Sequence, residues 1–212
     1  MIYKCYTAHI TNAKILVWEI RESAEELREL LGNFEVYSEE YSNIRLEKRR
    51  LEFLAARVAI NTLLQREVRI VYNDEEKPFL SDNSQQISIS HSENRVAVMA
   101  HPEISVGIDI EKRDERFLKV YKRYLSEKEQ ADLNFGENAL LRLQLAWSAK
   151  EAMYKVFGRE TLDFANDLRM LSFEPQNNGF LAVEHVKQKT VYTLQYVTDK
   201  DFNLVWSGKV KS

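Results

Sequence analysis

The amino-acid sequence predicts an α+β (mixed α/β) fold of two similar lobes related by a pseudo-two-fold, each a small sheet packed against a long helix. Three observations predict it. The length, 212 residues, is about 1.4 times a typical domain of roughly 150, which suits one large domain or two small ones. There are only six glycines and three prolines, so most of the chain is regular structure with few long loops. Two long helical patterns are each followed by a series of strand-like runs.

The elements read as follows. Lys14–Ile20 is a short apolar, β-branched run and predicts a strand. Ser23–Glu26 has capping-box spacing and opens a helix through about Leu31, with Gly32 as its stop. From Ser42 to Gln65 there is no Gly or Pro, and Leu46, Leu51, Phe53, Leu54, Val58, Ile60, Leu63 and Leu64 recur at helical spacing. This predicts one long helix. Val68–Tyr72, Gln86–Ser90, Arg95–Ala100 and Ser105–Glu111 predict strands, and Ser126–Glu129 is a second capping box. Asn138–Phe157 predicts a helix. Leu168–Phe173, Phe180–Val186, Thr190–Val197 and Asn203–Ser207 predict strands, with Asn177-Asn178-Gly179 as a turn. Pro102 breaks the pattern between His101 and Ser105, which sets lobes of 1–103 and 104–212.

Composition excludes several classes. Thirty basic against thirty-three acidic residues leave a net charge of −3, which argues against a nucleic-acid-binding surface. The single Cys5 excludes an intramolecular disulfide and a cysteine-rich zinc site. No apolar run approaches the roughly 18 residues of a membrane span. No apolar core follows a basic N-terminal region, so the expectation is a cytoplasmic protein without a membrane partner. No glycine-rich phosphate loop is present.

Four short stretches carry chemistry. In Val106-Gly107-Ile108-Asp109-Ile110-Glu111 the two-residue period of a strand puts Asp109 and Glu111 on one face. Paired carboxylates repel unless a cation relieves them, and oxygen-only ligands suit Mg²⁺ or Mn²⁺. A solvated edge-strand face is the alternative. Trp147, Glu151 and Lys155 follow at i, i+4 and i+8 on one helical face, where a carboxylate can complete a metal site and a lysine can hold a phosphate; a surface ion pair is the alternative. Ile87-Ser88-Ile89-Ser90-His91-Ser92 is a hydroxyl-rich strand ending in a histidine. Lys77-Pro78 is an extended turn, since proline restricts the residue before it.

Taken in order, Lys77-Pro78, ISISHS at 87–92, VGIDIE at 106–111, Ser126-x-x-Glu129 and WSAKEAMYK at 147–155 closely resemble the 4′-phosphopantetheinyl transferase superfamily. The length favours its Sfp type, a two-lobed monomer. The resemblance implies a Mg²⁺-dependent enzyme, with Mn²⁺ as a substitute metal. It would transfer the 4′-phosphopantetheine arm of coenzyme A to a serine of an acyl or peptidyl carrier protein, releasing adenosine 3′,5′-bisphosphate. It implies Asp109, Glu111 and Glu151 as metal ligands, Glu151 also as general base, and Lys155 as the pyrophosphate contact. It places Arg57, Lys77, Pro78, Ser90 and His91 on the nucleotide in the N-terminal lobe, and the active site at the interface of the lobes. The sequence departs from the pattern at Ser88, where the superfamily carries Asn, and at Glu76, where it often carries Gly. The Glu76 turn is therefore expected to avoid positive φ. These departures motivate a second reading, a coenzyme A-binding module without transferase activity; a metal-dependent phosphodiester hydrolase is a third. The basic stretch Lys112, Arg113, Arg116, Lys119, Lys122 and Arg123, with Phe117 and Tyr121, is expected to dock the acidic carrier.

Overall fold

The computed structural model describes residues 2–32, 34–133, 136, 138–158 and 162–208. The chain divides into two compact units, 1–103 and 104–212, and the fold is α+β in both. No helix among the described residues is long and apolar enough to cross a membrane.

In the first unit β1 (Ile2–Thr7), β2 (Lys14–Glu19), β5 (Gln86–Ser92) and β6 (Arg95–His101) form an antiparallel sheet of order β1-β2-β6-β5. Helix α1 (Ala24–Leu31) starts at the anticipated capping box, where the Ser23 hydroxyl accepts from the Glu26 amide and the Glu26 carboxylate accepts from the Ser23 amide at 2.7 Å. A 3₁₀ turn (Phe34–Tyr37), α2 (Ser38–Ser42) and α3 (Glu47–Leu64) follow. Leu27, Leu31, Leu54, Val58 and Ile60 bury against Leu16, Trp18, Val96 and Val98 of the sheet. Strands β3 (Ile70–Tyr72) and β4 (Pro78–Leu80) make a separate two-stranded ribbon.

The expected helix over 42–65 is shorter than its apolar pattern. The Ser38 and Ser42 hydroxyls donate to the carbonyls of Glu35 and Glu39, and the Arg50 guanidinium takes the Ile44 carbonyl at 2.7 Å. These local bonds close α2 and give the backbone an alternative to a continuous helix. Strand β1 carries no sequence signal, because its described side chains are exposed or only half-buried and no buried face imposes a period. Glu76 also departs from expectation. It sits in the left-handed region at φ 58°, where the Asn73 side chain accepts from the amides of Glu75 and Lys77 and the Asn73 carbonyl accepts from Glu76.

In the second unit β7 (Val106–Lys112) leads through α4 (Phe117–Val120), a 3₁₀ turn (Tyr121–Arg123) and α5 (Glu127–Asp132) to α6 (Ala139–Phe157). Strands β8 (Leu168–Met170), β9 (Asn178–His185), β10 (Thr190–Thr198) and β11 (Phe202–Gly208) complete an antiparallel sheet of order β7-β11-β10-β9-β8. The expected turn at 177–179 lies partly inside β9, because Asn178 and Gly179 pair with Val197 and Tyr196. Helix α6 packs Leu145, Ala149, Met153 and Val156 into a core with Leu181, Val183, Leu194 and Val205.

A buried ion pair anchors α6. Lys150 and Glu129 are both 0% exposed and meet at 2.6 Å. The Lys150 ammonium also donates to the carbonyls of Tyr124 at 2.8 Å and Phe164 at 2.6 Å. Glu129 is the acid of the α5 capping box and accepts the Met170 amide of β8 at 2.7 Å. Burial lowers the Lys150 pKa while Glu129 pulls it back up. Replacing Lys150 by Met should cost about 3–5 kcal/mol, because Glu129 is left as an uncompensated buried charge. Adding Glu129→Gln should recover at least about 1 kcal/mol of it. Urea unfolding of the single and double variants measures this; additive losses would show the two groups to be uncoupled.

Candidate active site

Helix α6 runs antiparallel to β7 and meets it side chain by side chain. Gln144 donates to the Lys112 carbonyl at 2.7 Å, and the Trp147 indole N–H donates to Glu111 at 3.2 Å. Lys155 donates to the Ile108 carbonyl at 2.8 Å and pairs with Asp109 at 3.1 Å. The close approach requires Gly107: a Cβ there would lie 1.9 Å from the Ala152 carbonyl oxygen of the helix. The strand alternation thus turns Gly107, Asp109 and Glu111 toward α6. Asp109 is buried rather than on a solvated face. Trp147 is held among Phe117, Tyr124 and Phe164, so the indole reaches Glu111 from a rigid aromatic cluster.

The charges are unbalanced at Glu151. Burial, then the neighbouring Asp109 charge, push its pKa from an ordinary 4.5 to about 7; Lys155 opposes this and Glu111 adds to it. Lys155 and Arg116 stand against the other two carboxylates, the Arg116 guanidinium lying 3.2 Å from Glu111.

In the first unit His91 lies beside Arg49 and Glu52. An Arg49 nitrogen is 3.1 Å from His91 Nε2 and 2.7 Å from the Glu52 carboxylate, and Glu52 is buried. Ser90 is buried one residue away, on the opposite face of β5 by strand alternation. Strand geometry therefore points the two expected nucleotide contacts in opposite directions. Lys77 is half-buried ahead of Pro78, and burial lowers its pKa. Arg57, at 1% exposure, donates to the Phe53 carbonyl and to Glu40 and stacks over the rings of Phe53 and Tyr37. It is part of the packing of the first unit.

The geometry of the second unit is that of a strand and a helix assembling three carboxylates and a lysine. Residues 105–209 match the family model of the 4′-phosphopantetheinyl transferase superfamily. The match takes in every element of the second unit from β7 to β11, and it supports phosphopantetheinyl transfer as the general chemistry of this superfamily domain. No curated protein matches the chain.

The superfamily generally uses a divalent metal and coenzyme A. Among the described residues no group of three or more His, Cys, Asp or Glu is arranged as a ready metal cage. Asp109 and Glu111 instead meet Lys155, Arg116 and Trp147. The donor chemistry nevertheless fits Mg²⁺, because the carboxylates of Asp109, Glu111 and Glu151 supply oxygen ligands and negative charge that favour a hard cation. Two site residues escape the sequence pattern. Arg49 is one of three adjacent basic residues, Lys48-Arg49-Arg50, and only the fold shows that it is the one beside His91. Arg116, expected to face a carrier, lies on Glu111. Phe117, expected at the same surface, is core.

The raised pKa of Glu151 has a stability consequence. Between about pH 4.5 and 7 the folded chain keeps a proton that the unfolded chain has lost. Stability is therefore full below the unfolded value and declines as pH rises through the folded one. The loss is at most about 3 kcal/mol. Without divalent metal, Glu151→Gln should be more stable than the wild type by about 2 kcal/mol at pH 8, with the gap closing toward pH 5. Denaturant unfolding in EDTA checks this; a gap independent of pH would show that the folded chain does not hold the Glu151 proton above its ordinary range.

Proposed function

We propose that the protein transfers the 4′-phosphopantetheine arm of coenzyme A to a serine of an apo-acyl or peptidyl carrier protein, in the manner of the Sfp type. The observation that carries the reading is Glu151, a carboxyl with a pKa of about 7 placed against Asp109 and Glu111 in the superfamily domain. Asp109, Glu111 and Glu151 would hold Mg²⁺. Bound there, the ion would spread the negative charge of the pyrophosphate, the main barrier to attack on it.

The remaining chemistry falls to the chain's own side chains. The carrier serine oxygen forms a bond to the phosphorus that bears the pantetheine arm. The bond from that phosphorus to the bridging oxygen breaks, and its electron pair leaves with adenosine 3′,5′-bisphosphate. The serine proton passes to Glu151, the α6 carboxyl that lies against Asp109 and Glu111. Lys155 supplies positive charge beside Asp109 for the pyrophosphate. On the nucleotide side we assign His91 with Arg49, together with Lys77-Pro78. Lys119, Lys122 and Arg123 are exposed and form the basic surface for an acidic carrier helix, with Leu118 as its exposed apolar contact.

Mass spectrometry of an apo-carrier incubated with the protein, coenzyme A and Mg²⁺ tests the reaction. The expected result is a gain of one phosphopantetheine arm, abolished by EDTA and reduced about 10²–10⁴-fold by Glu151→Gln. Coenzyme A binding without transfer to any of several carriers would overturn the transferase reading. Charge reversal at Lys119 and Arg123 should raise KM for the carrier and leave KM for coenzyme A unchanged; equal effects on both would take docking away from this segment.

A further inference from the structure

We infer that Gln144 is a positioning residue for the Glu111 carboxylate, an assignment that rests on Glu111 being a metal ligand. The carbonyls of Ile108 and Lys112 are four residues apart on β7 and so point the same way, about 13 Å from each other. Each is held by a side chain of α6: Ile108 by the Lys155 ammonium at 2.8 Å, Lys112 by the Gln144 amide at 2.7 Å. Asp109 and Glu111 lie between these two clamps. Lys155 itself touches Asp109. Gln144 touches neither carboxylate. Its single bond holds the carbonyl of the Lys112–Arg113 peptide, one residue past Glu111, and lies one helical turn before Trp147 reaches the Glu111 side chain.

Packing does not explain this side chain. Gln144 is fully buried between the buried Leu143 and Leu145. Its amide oxygen has no hydrogen-bond partner among the described residues. A buried unsatisfied carbonyl oxygen opposes folding, so a hydrocarbon chain of the same length would pack there at least as well. What the amide gains is the Lys112 carbonyl. The rest of the strand end is tied to β11 by the Lys112–Phe202 pairing and by the Arg113 amide on the Asp201 carbonyl, so the fold does not depend on this bond. What is lost is the hold of α6 on the strand end, which on its other side pairs Lys112 with Phe202 and Glu111 with Asn203 of β11. Beyond Lys112 the chain is held from the other side, where Arg113 donates to the Thr198 hydroxyl at 2.7 Å and to the Asp199 carbonyl. The Gln144 bond thus closes a clamp around the segment that presents Glu111.

The test is Gln144→Met, which keeps the length of the chain and removes the amide. Free Mn²⁺ is titrated by electron paramagnetic resonance against the full-length wild type and variant, and the melting temperature is measured in EDTA. The expected result is Mn²⁺ affinity reduced about tenfold, the scale of an outer-shell contact, with an equal or higher melting temperature. Ser148→Ala, another buried polar position of α6, should leave Mn²⁺ affinity unchanged. Unchanged affinity in Gln144→Met would overturn the inference, as would affinity and melting temperature falling together, which marks a structural role only. If the wild type itself binds no Mn²⁺, the metal reading falls and carries this inference with it; if the wild type binds and the variant binds equally, only the inference falls.

Discussion

The second unit depends on one interaction more than any other, the buried pair between Lys150 and Glu129. A charged amine with no exposed surface is stable only where every donor is met, and here the carboxylate and two backbone carbonyls meet it. Each acceptor comes from a different segment: the start of α5, the turn before it, and the loop after α6. Glu129 in turn fixes the first turn of α5 and the amide of Met170 in β8. The rotation of α6 about its axis follows from this pair, because Lys150 can reach Glu129 in few orientations of the helix. Its neighbour Glu151, about 100° further round by helical geometry, is thereby directed out of the core toward β7. A stability device in the interior thus sets the direction of the carboxylate that the chemistry uses.

The approach of α6 to β7 adds the second constraint. At Gly107 the helix backbone comes so near that no side chain fits. The next two residues on that face of the strand are Asp109 and Glu111, so the glycine that lets the helix in also brings the carboxylates under it. Their charge is partly met by Lys155 and Arg116, and burial, with the Asp109 charge added, pushes the Glu151 pKa to about 7. A hard cation would compete for the same oxygens. A cation bound there would favour the ionised carboxyl and lower the Glu151 pKa again.

Much of this was legible in the sequence because the relevant rules are local. Both capping boxes, at Ser23 and Ser126, announce their helices. The period of two in residues 106–111 places Asp109 and Glu111 on one face, and the period of helix α6 aligns Trp147, Glu151 and Lys155. What was not legible depends on burial or on contacts between distant segments. Strand β1 has almost no buried side chain and hence no periodic signal. Glu76 takes a positive φ because the Asn73 side chain gathers the amides around it, a tertiary override of a residue preference. Phe117 looked like a docking aromatic beside basic residues, but its ring is needed against Trp147.

The two arginines of α3 show how the first unit separates packing from binding. Arg49 and Arg57 are eight residues apart, a little over two helical turns, and lie within about 80° of one another around the axis. The sequence pattern offers Arg57 to a nucleotide and passes over Arg49. Arg57 falls where the helix is covered, and its guanidinium meets a backbone carbonyl, Glu40 and two aromatic faces inside the unit, while its Nε has no partner among the described residues. Arg49 falls in the first turn, where the helix emerges and His91 of β5 stands beside it. Glu52, one turn on, is buried and bonds Arg49. It fixes the guanidinium without covering it, since Arg49 keeps 56% of its side-chain surface exposed. A rigid, exposed guanidinium loses little freedom on meeting an anion, whereas a buried one must first break the contacts that hold the helix in place. Position along one helix therefore decides which of two identical side chains is available for recognition.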